Sequence, residues 1–164
     1  MQPEQFVPTT LDKIDLDPGI FRAYDIRGIT RSNLTDDVCY WIGRAFAAEA
    51  RSQNQQAAAI GHDGRLSSPG IALALGQGLV DGGMSVTDIG QVPTPVLYYA
   101  TLALKTGTGI MITGSHNPPE YNGLKMMIGG TTLAEDLIQV LYRRLQDSTC
   151  LLYTSDAADD DVSV

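Results

Sequence analysis

The spacing of apolar residues changes along this chain, and each change marks an element. Val38, Trp41, Ile42, Ala45 and Phe46 recur at i, i+3, i+4, i+7 and i+8, one stripe of a helix that should run to about Arg51. Thr35 stands just ahead of Asp36 and Asp37, a capping oxygen followed by two carboxylates where the unpaired amides and positive end of a helix need them. Residues 57–60 are a short apolar run and read as a buried strand, left by the loop Gly61-His62-Asp63-Gly64-Arg65. Ser68 and Pro69 then fit the cap and first position of a helix lined by Ile71, Leu75 and Leu79. Gly82-Gly83 supplies a left-handed stop, residues 86–89 return as a strand, and Pro93-Thr94-Pro95 opens a third helix at about Pro95.

Residues 109–113 and 123–128 are two further apolar strands separated by a loop. Thr132-Leu133-Ala134-Glu135 matches a capping box, with Leu133, Leu137, Leu141 and Leu145 spaced by four on a helix ending near Asp147. Residues 20–29 alternate apolar and charged positions and predict an extended segment that turns over at Gly28. Strands alternating with helices make this an α/β protein.

Composition agrees and narrows the partners. The 164 residues suffice for one domain, 43% are hydrophobic and 18% charged, as in ordinary globular proteins. The net charge of −8 is partly a property of the end of the chain, because Asp156, Asp159, Asp160 and Asp161 face no Lys or Arg there. With no basic cluster, a nucleic-acid partner is not expected, since phosphate backbones are held by several Lys and Arg. The start of the chain lacks a signal-peptide pattern, and no apolar run nears the ~18–20 residues of a membrane span. Cys39 and Cys150 give no disulfide framework or metal spacing. No membrane association is expected, and a cytoplasmic location fits.

Neither repeat nor linker divides residues 1–147, which are expected to form one domain. From residue 148 the pattern changes, and 148–164 are expected to be an unrelated acidic tail, artefactual or disordered.

The chemistry concentrates between the last two long strands, in Thr113-Gly114-Ser115-His116-Asn117-Pro118-Pro119-Glu120-Tyr121-Asn122. A loop at the C-terminal end of a strand lies on the edge where open α/β sheets bind ligands. Gly114 removes bulk beside Ser115 and Pro118-Pro119 stiffens the exit, so the Ser115 hydroxyl can be held outward to accept and donate a phosphoryl group. A phosphorylated Ser115 would carry about −1.5 to −2 charge and call for donors, for which His116, Asn117 and Lys125 are the local candidates. Lys125 is either a solvated edge lysine or an ammonium returned to the loop by a hairpin. His116 is a proton carrier or, more simply, a residue that orients the serine or touches the phosphate. No Gly-x-Ser-x-Gly elbow surrounds Ser115, so a serine-hydrolase triad is rejected. On residue types alone the loop is as readily a plain turn, since Ser, Asn, Gly and Pro are turn residues.

Four strings tip that balance: Phe21-Arg22-Ala23-Tyr24-Asp25-Ile26-Arg27-Gly28, Gly61-His62-Asp63-Gly64-Arg65-Leu66-Ser67, Val92-Pro93-Thr94-Pro95 and Thr113-Gly114-Ser115-His116-Asn117-Pro118. In order and spacing, over residues from about 15 to 147, they resemble the first domain of the α-D-phosphohexomutases, most nearly the bacterial phosphomannomutase/phosphoglucomutase type. The resemblance implies a three-layer α/β/α domain with a mixed, mostly parallel central sheet. It implies that Ser115 is phosphorylated in the resting enzyme and that its phosphate is a ligand of a catalytic Mg²⁺. Lys125 matches a lysine that assists proton transfer or phosphate stabilisation. Tyr24 and Arg27 match active-site residues, and Asn117 belongs with them as a substrate-binding candidate. His62 falls at a position that varies in the family and is taken as a surface or supporting histidine, while Asp63 and Arg65 brace the loop.

The activity so implied interconverts hexose 1-phosphates and hexose 6-phosphates of mannose or glucose through a bisphosphate. The family's remaining Mg²⁺ ligands, sugar-selecting loop and phosphate-binding loop come from its second, third and fourth domains, and none appears in this sequence. The fragment alone is therefore expected to be inactive. Three alternatives stay open: a non-catalytic module binding sugar phosphates or nucleotides, a sister mutase acting on a sugar such as glucosamine phosphate, and a truncated translation with no role of its own.

Overall fold

A computed structural model describes residues 5–151 of the chain. The strands are β1 (Ile26–Ile29), β2 (Ala57–His62), β3 (Ser85–Gln91), β4 (Gly109–Ile112), β5 (Tyr121–Ile128) and β6 (Thr131–Thr132). The α-helices are α1 (Asp36–Ser52), α2 (Ser68–Asp81), α3 (Thr94–Ala103) and α4 (Asp136–Gln146). The sheet order is β1-β5-β4-β2-β3, with β6 also paired to β5.

β2 pairs in parallel with both β3 and β4, whereas β5 runs antiparallel to β1, β4 and β6. Every strand except β5 thus points one way, and the sheet is mixed because that one reversed strand lies inside it. Alternation along the strands sorts side chains to two faces. Ile60, Ile110, Ile112, Leu124, Met126 and Ile128 join the core under α1, α2 and α4, while Ala59 and Met111 join Leu97 of α3 on the opposite face. Three layers result, as expected.

β2 connects to β3 through α2 on one face, and β3 connects onward to β4 through α3 on the other. The strand order reverses at β2, the kind of switch point at whose C-terminal edge open α/β sheets take ligands. The loops leaving β2 and β4 therefore emerge side by side.

Helix α1 starts as its sequence predicts, with Thr35 Oγ1 accepting from the Val38 amide at 3.3 Å. One feature of its packing has no signature in the apolar stripe: α1 and α2 meet at glycines. A Cβ on Gly78 would stand 2.1 Å from the Tyr40 carbonyl oxygen, and one on Gly43 would stand 2.6 Å from that of Leu75, so the two backbones touch directly.

Several expectations are corrected. Residues 20–29 are not one extended segment: Phe21 bridges Ile26, and the Arg22 amide donates to the Asp25 carbonyl at 3.0 Å, closing a tight turn that projects Tyr24. β1 then passes through Gly28 and turns after Ile29, whose carbonyl takes the amides of Ser32, Asn33 and Leu34. Gly28 is needed for close approach, since a Cβ there would lie 2.5 Å from Asn33 Oδ1. Ser67, not Ser68, occupies the cap position of α2; Ser68 is buried and donates to Asp63 instead.

The capping box does not form. Gly129 and Gly130, both at positive φ, fold Thr131 and Thr132 back onto β5 as β6, and Glu135 becomes the residue preceding α4 with its amide donating to the Ala23 carbonyl at 2.5 Å. The hairpin outcompetes the local pattern. The buried stripe of α4 is accordingly Ile138, Leu141 and Leu145, with Leu137 41% exposed. Of the residues assigned to the tail, Ser148–Leu151 form a 3-10 turn against α1 and α4, with the Leu151 carbonyl accepting from Arg44 Nη2. Residues 152–164 lie outside the described residues.

Candidate active site

The loops leaving β2 and β4 are fastened together by two residues of the first. Arg65 reaches under the second loop and donates four hydrogen bonds from its two terminal nitrogens. Nη2 donates to the carbonyls of Ser115 at 3.0 Å and Asn117 at 2.7 Å. Nη1 donates to those of Pro118 at 2.6 Å and Tyr121 at 3.1 Å, and Nε faces Asp63 Oδ2 at 3.3 Å. The planar five-donor fork suits this task, which an ammonium could not perform. Gly114 makes room for it, because a Cβ there would sit 2.2 Å from Arg65 Cζ.

Asp63 completes the brace from the other side. Its Oδ2 accepts from the Gly114 amide at 3.0 Å and Thr113 Oγ1 at 3.1 Å, and its Oδ1 from Ser68 Oγ at 2.6 Å and the Arg65 amide at 3.0 Å. Burial pushes the Asp63 carboxyl up, but these hydrogen bonds outweigh it and hold the group below its usual range. Both residues thus brace the loop, as the sequence suggests. His62 is half-buried with its Nδ1 2.8 Å from the Asp63 carbonyl, to which the ring donates, beside the brace rather than at the serine.

On this support Ser115 is exposed and takes a left-handed backbone, φ 53°, a conformation uncommon for a residue with a side chain. Its amide donates to Thr113 Oγ1 at 3.0 Å, and the Asn117 amide closes a turn onto the Gly114 carbonyl at 3.0 Å. The hydroxyl lies 3.4 Å from Nδ1 of the exposed His116, within reach of a weak hydrogen bond. The Asn117 side chain turns back into the loop, Nδ2 donating to the Gly114 carbonyl at 2.8 Å, so its donors maintain the turn rather than face outward.

Arg27, Lys125 and Tyr24 come from the other half of the sheet. Lys125 is directly opposite Met111, whose side chain packs under α3, and Arg27 is opposite Gly123, two residues before Lys125. Both cations therefore stand on the α3 face as diagonal cross-strand neighbours. α3 packs mainly on β2 and β4 and reaches β5 only towards Met127, whose Sδ accepts from Thr101 Oγ1 at 3.8 Å.

Along the strands Arg27 is level with Thr113, two residues before Ser115, because the Thr113 amide donates to the Gly123 carbonyl at 2.9 Å. Lys125 is one pleat further from the loop, and Tyr24, 71% exposed, is at the far end of β1. Arg27 Nη2 pairs with Asp25 Oδ2 at 2.6 Å while its buried Nε has no partner. Lys125 has neither a hydrogen bond nor an ion pair among the described residues. The site thus joins a braced hydroxyl to Lys125, whose ammonium has no partner among the described residues, and to Arg27, which pairs with Asp25, a combination suited to an anion.

Two supports are not legible in the sequence. Asn122, fully buried, donates to Ser67 Oγ at 2.9 Å and Ser68 Oγ at 3.0 Å, tying the end of the serine loop to α2. Gln139 Nε2 donates to the Phe21 carbonyl at 3.0 Å, so α4 holds the turn carrying Tyr24. Only the polar character of Asn122 within an apolar strand hints at the first.

The model of the phosphoglucomutase/phosphomannomutase α/β/α domain I matches residues 18–150. The chain belongs to the phosphoglucomutase/phosphomannomutase family. It is 52% identical over 131 residues to the phosphomannomutase/phosphoglucomutase of Pseudomonas aeruginosa, covering 80% of this chain and 28% of that relative. It is 55% identical over 122 residues to the phosphoglucomutase of Neisseria gonorrhoeae, covering 74% and 26%. A crystal structure of a family member from Burkholderia thailandensis superposes with a TM-score of 0.79 at 46% identity, over 82% of this chain and 31% of that one. The chain therefore spans under a third of the length of these family members.

Magnesium, which the family generally uses, needs a set of oxygen ligands. Among the described residues no three His, Cys, Asp or Glu side chains gather to hold a metal ion. These residues do not make a magnesium site by themselves. No helix among them is long and apolar enough to cross a membrane.

Proposed function

We propose that this chain is the phosphoserine domain of a phosphohexomutase that interconverts hexose 1-phosphates and 6-phosphates of glucose or mannose in the cytoplasm. The observation that carries this reading is the exposed, left-handed Ser115 on a loop braced by Arg65, with Arg27 and Lys125 on the adjoining face.

In the first step a sugar hydroxyl oxygen bonds to phosphorus as the Ser115 Oγ–P bond breaks. The hydroxyl proton leaves to a base, and Oγ regains a proton. The bisphosphate reorients, its other phosphoryl group returns to Oγ, and the isomeric monophosphate departs with phosphoserine restored. Such transfers depend mainly on positioning and charge stabilisation, which the brace and the two cations supply. Mg²⁺ would meet phospho-Ser115 as its one ligand from residues 1–147. The rest of its coordination, and of the sugar site, would come from the further domains that longer relatives carry, so the chain alone should not turn over.

The test is a chimera in which residues 18–147 replace the matched part of the Pseudomonas aeruginosa relative. A coupled assay should show conversion of glucose 1-phosphate to glucose 6-phosphate by the chimera, none by the 164-residue chain and none by the Ser115→Ala chimera. A chimera that keeps its turnover without Ser115 would sink the proposal.

A further inference from the structure

The Arg65 brace does more than stiffen the loop, because of which peptide groups it turns. Arg65 takes the carbonyls of residues 115, 117, 118 and 121 on the inner side. No peptide bond here is cis, so each N–H points opposite to the carbonyl of its own peptide unit. For the units after Asn117 and Pro118 this has no outward consequence, since residues 118 and 119 are prolines and carry no N–H. For the unit after Ser115 it does. Drawing the Ser115 carbonyl inward to Nη2 at 3.0 Å directs the His116 N–H away from Arg65, to the outer side of the loop where the Ser115 hydroxyl is exposed.

That N–H is uncommitted. The neighbouring amides are used, Ser115 N by Thr113 Oγ1 and Asn117 N by the Gly114 carbonyl, but the His116 amide has no partner among the described residues. The left-handed backbone of Ser115, φ 53°, is the bend that permits both orientations at once. Strain of this kind persists only where its surroundings over-determine it, as the brace of Arg65 and Asp63 does here.

We propose that the main-chain amide of His116 is a hydrogen-bond donor to the phosphoryl oxygens carried on Ser115, and that Arg65 is the positioning residue that aims it. This rests on Ser115 being the phosphoryl carrier. A fixed amide aimed where charge accumulates needs no reorganisation when the group arrives, which is how preorganised donors act in transfer reactions. It also gives His116 a role independent of its imidazole, so the identity of the side chain at 116 should matter less than the direction of its peptide.

The experiment uses the 164-residue chain with phosphoserine installed at position 115. Proton–nitrogen spectra with phosphorus detection should show the His116 amide moved downfield on phosphorylation, with a through-hydrogen-bond coupling between its nitrogen and the phosphorus. Arg65→Lys, which keeps the charge but cannot span four carbonyls, should lose the coupling while circular dichroism stays native. Arg65→Met should lose it as well. The unsubstituted phosphorylated chain decides the matter even if both variants unfold, because an unshifted, uncoupled His116 amide there overturns the proposal. So does a coupling that survives Arg65→Lys in full. If instead the coupling is present while the chimera proves inactive, the donor stands and the mutase reading fails.

Discussion

The two halves of the candidate site are built on opposite principles. Around Ser115 nearly every polar group is committed: Arg65 donates four hydrogen bonds and pairs with Asp63, Asp63 accepts four hydrogen bonds, and Asn117 and Thr113 hold neighbouring backbone. On the face of β1 and β5, the Lys125 ammonium has no partner among the described residues, and Arg27 pairs with Asp25 through Nη2 while its buried Nε has no partner among them. A cation such as Lys125, without a partner, does little for stability, whereas a buried network with one member removed exposes several unsatisfied groups. The loop is thus fixed by contacts within this chain, and the face of β1 and β5 holds donors that those contacts leave unused. The contrast predicts that damage to the first half will appear as lost stability and damage to the second as lost chemistry.

Lys125→Met is the strongest challenge to that division. On a lysine without a partner among the described residues the substitution should leave the unfolding free energy of the 164-residue chain, from urea titration, unchanged to within about 0.5 kcal/mol. In the chimera it should lower kcat by about 10²–10⁴-fold, the range associated with losing a proton-transfer or charge-stabilising group. A large stability loss with little change in kcat would put Lys125 in the structural half and dissolve the comparison.

How much of this was readable beforehand follows the same line. Short-range signals read well: the stripe from Val38 to Phe46 and the Thr35 cap gave α1, and the Gly82-Gly83 stop ended α2. Signals that long-range pairing can override did not. The capping box at Thr132 lost to a hairpin because β5 offered Thr131 and Thr132 partners, and Gly28 serves a close approach to Asn33 rather than a turn. In the site, Ser115 and the brace of Asp63 and Arg65 could be named from the resemblance. That Tyr24 is at the far end of β1 from Ser115 depends on strand register, which no local pattern encodes, and that Asn117 turns inward follows from the fold of its own loop onto the Gly114 carbonyl.

Gly114→Ala tests the other half. The added methyl would meet the Arg65 guanidinium, whose centre is 2.2 Å from the Cβ position, so either the arginine leaves its four carbonyls or the loop moves. Overpacking of a well-filled site costs typically about 1–3 kcal/mol, and the loss should appear as a lower urea midpoint with an unchanged denaturant slope. Arg65→Met made on top of Gly114→Ala should then cost much less than the sum of the two, since both disrupt the same contacts. Full additivity would mean the guanidinium does not depend on the glycine.

The smallest effect is the dependence on pH, and its sign is specific. Hydrogen bonds from Ser68, Arg65, Gly114 and Thr113 outweigh the effect of burial on Asp63 and lower its carboxyl below the ordinary aspartate value. A depressed native pKa means the unfolded chain binds the proton more readily. The stabilisation is therefore fully present above the unfolded value, about 3.9, and is lost as pH falls from there through the native value. Asp36 should behave oppositely: burial, then the neighbouring Asp37, raises its carboxyl, so its contribution is present at low pH and lost as pH rises through the unfolded and then the native value. Urea midpoints of the unsubstituted chain and of Asp63→Asn, measured from pH 6 to pH 3, should differ by a constant amount at the upper end and converge below about 4. A gap that stays constant throughout would show that Asp63 braces the serine loop through shape and not through its charge.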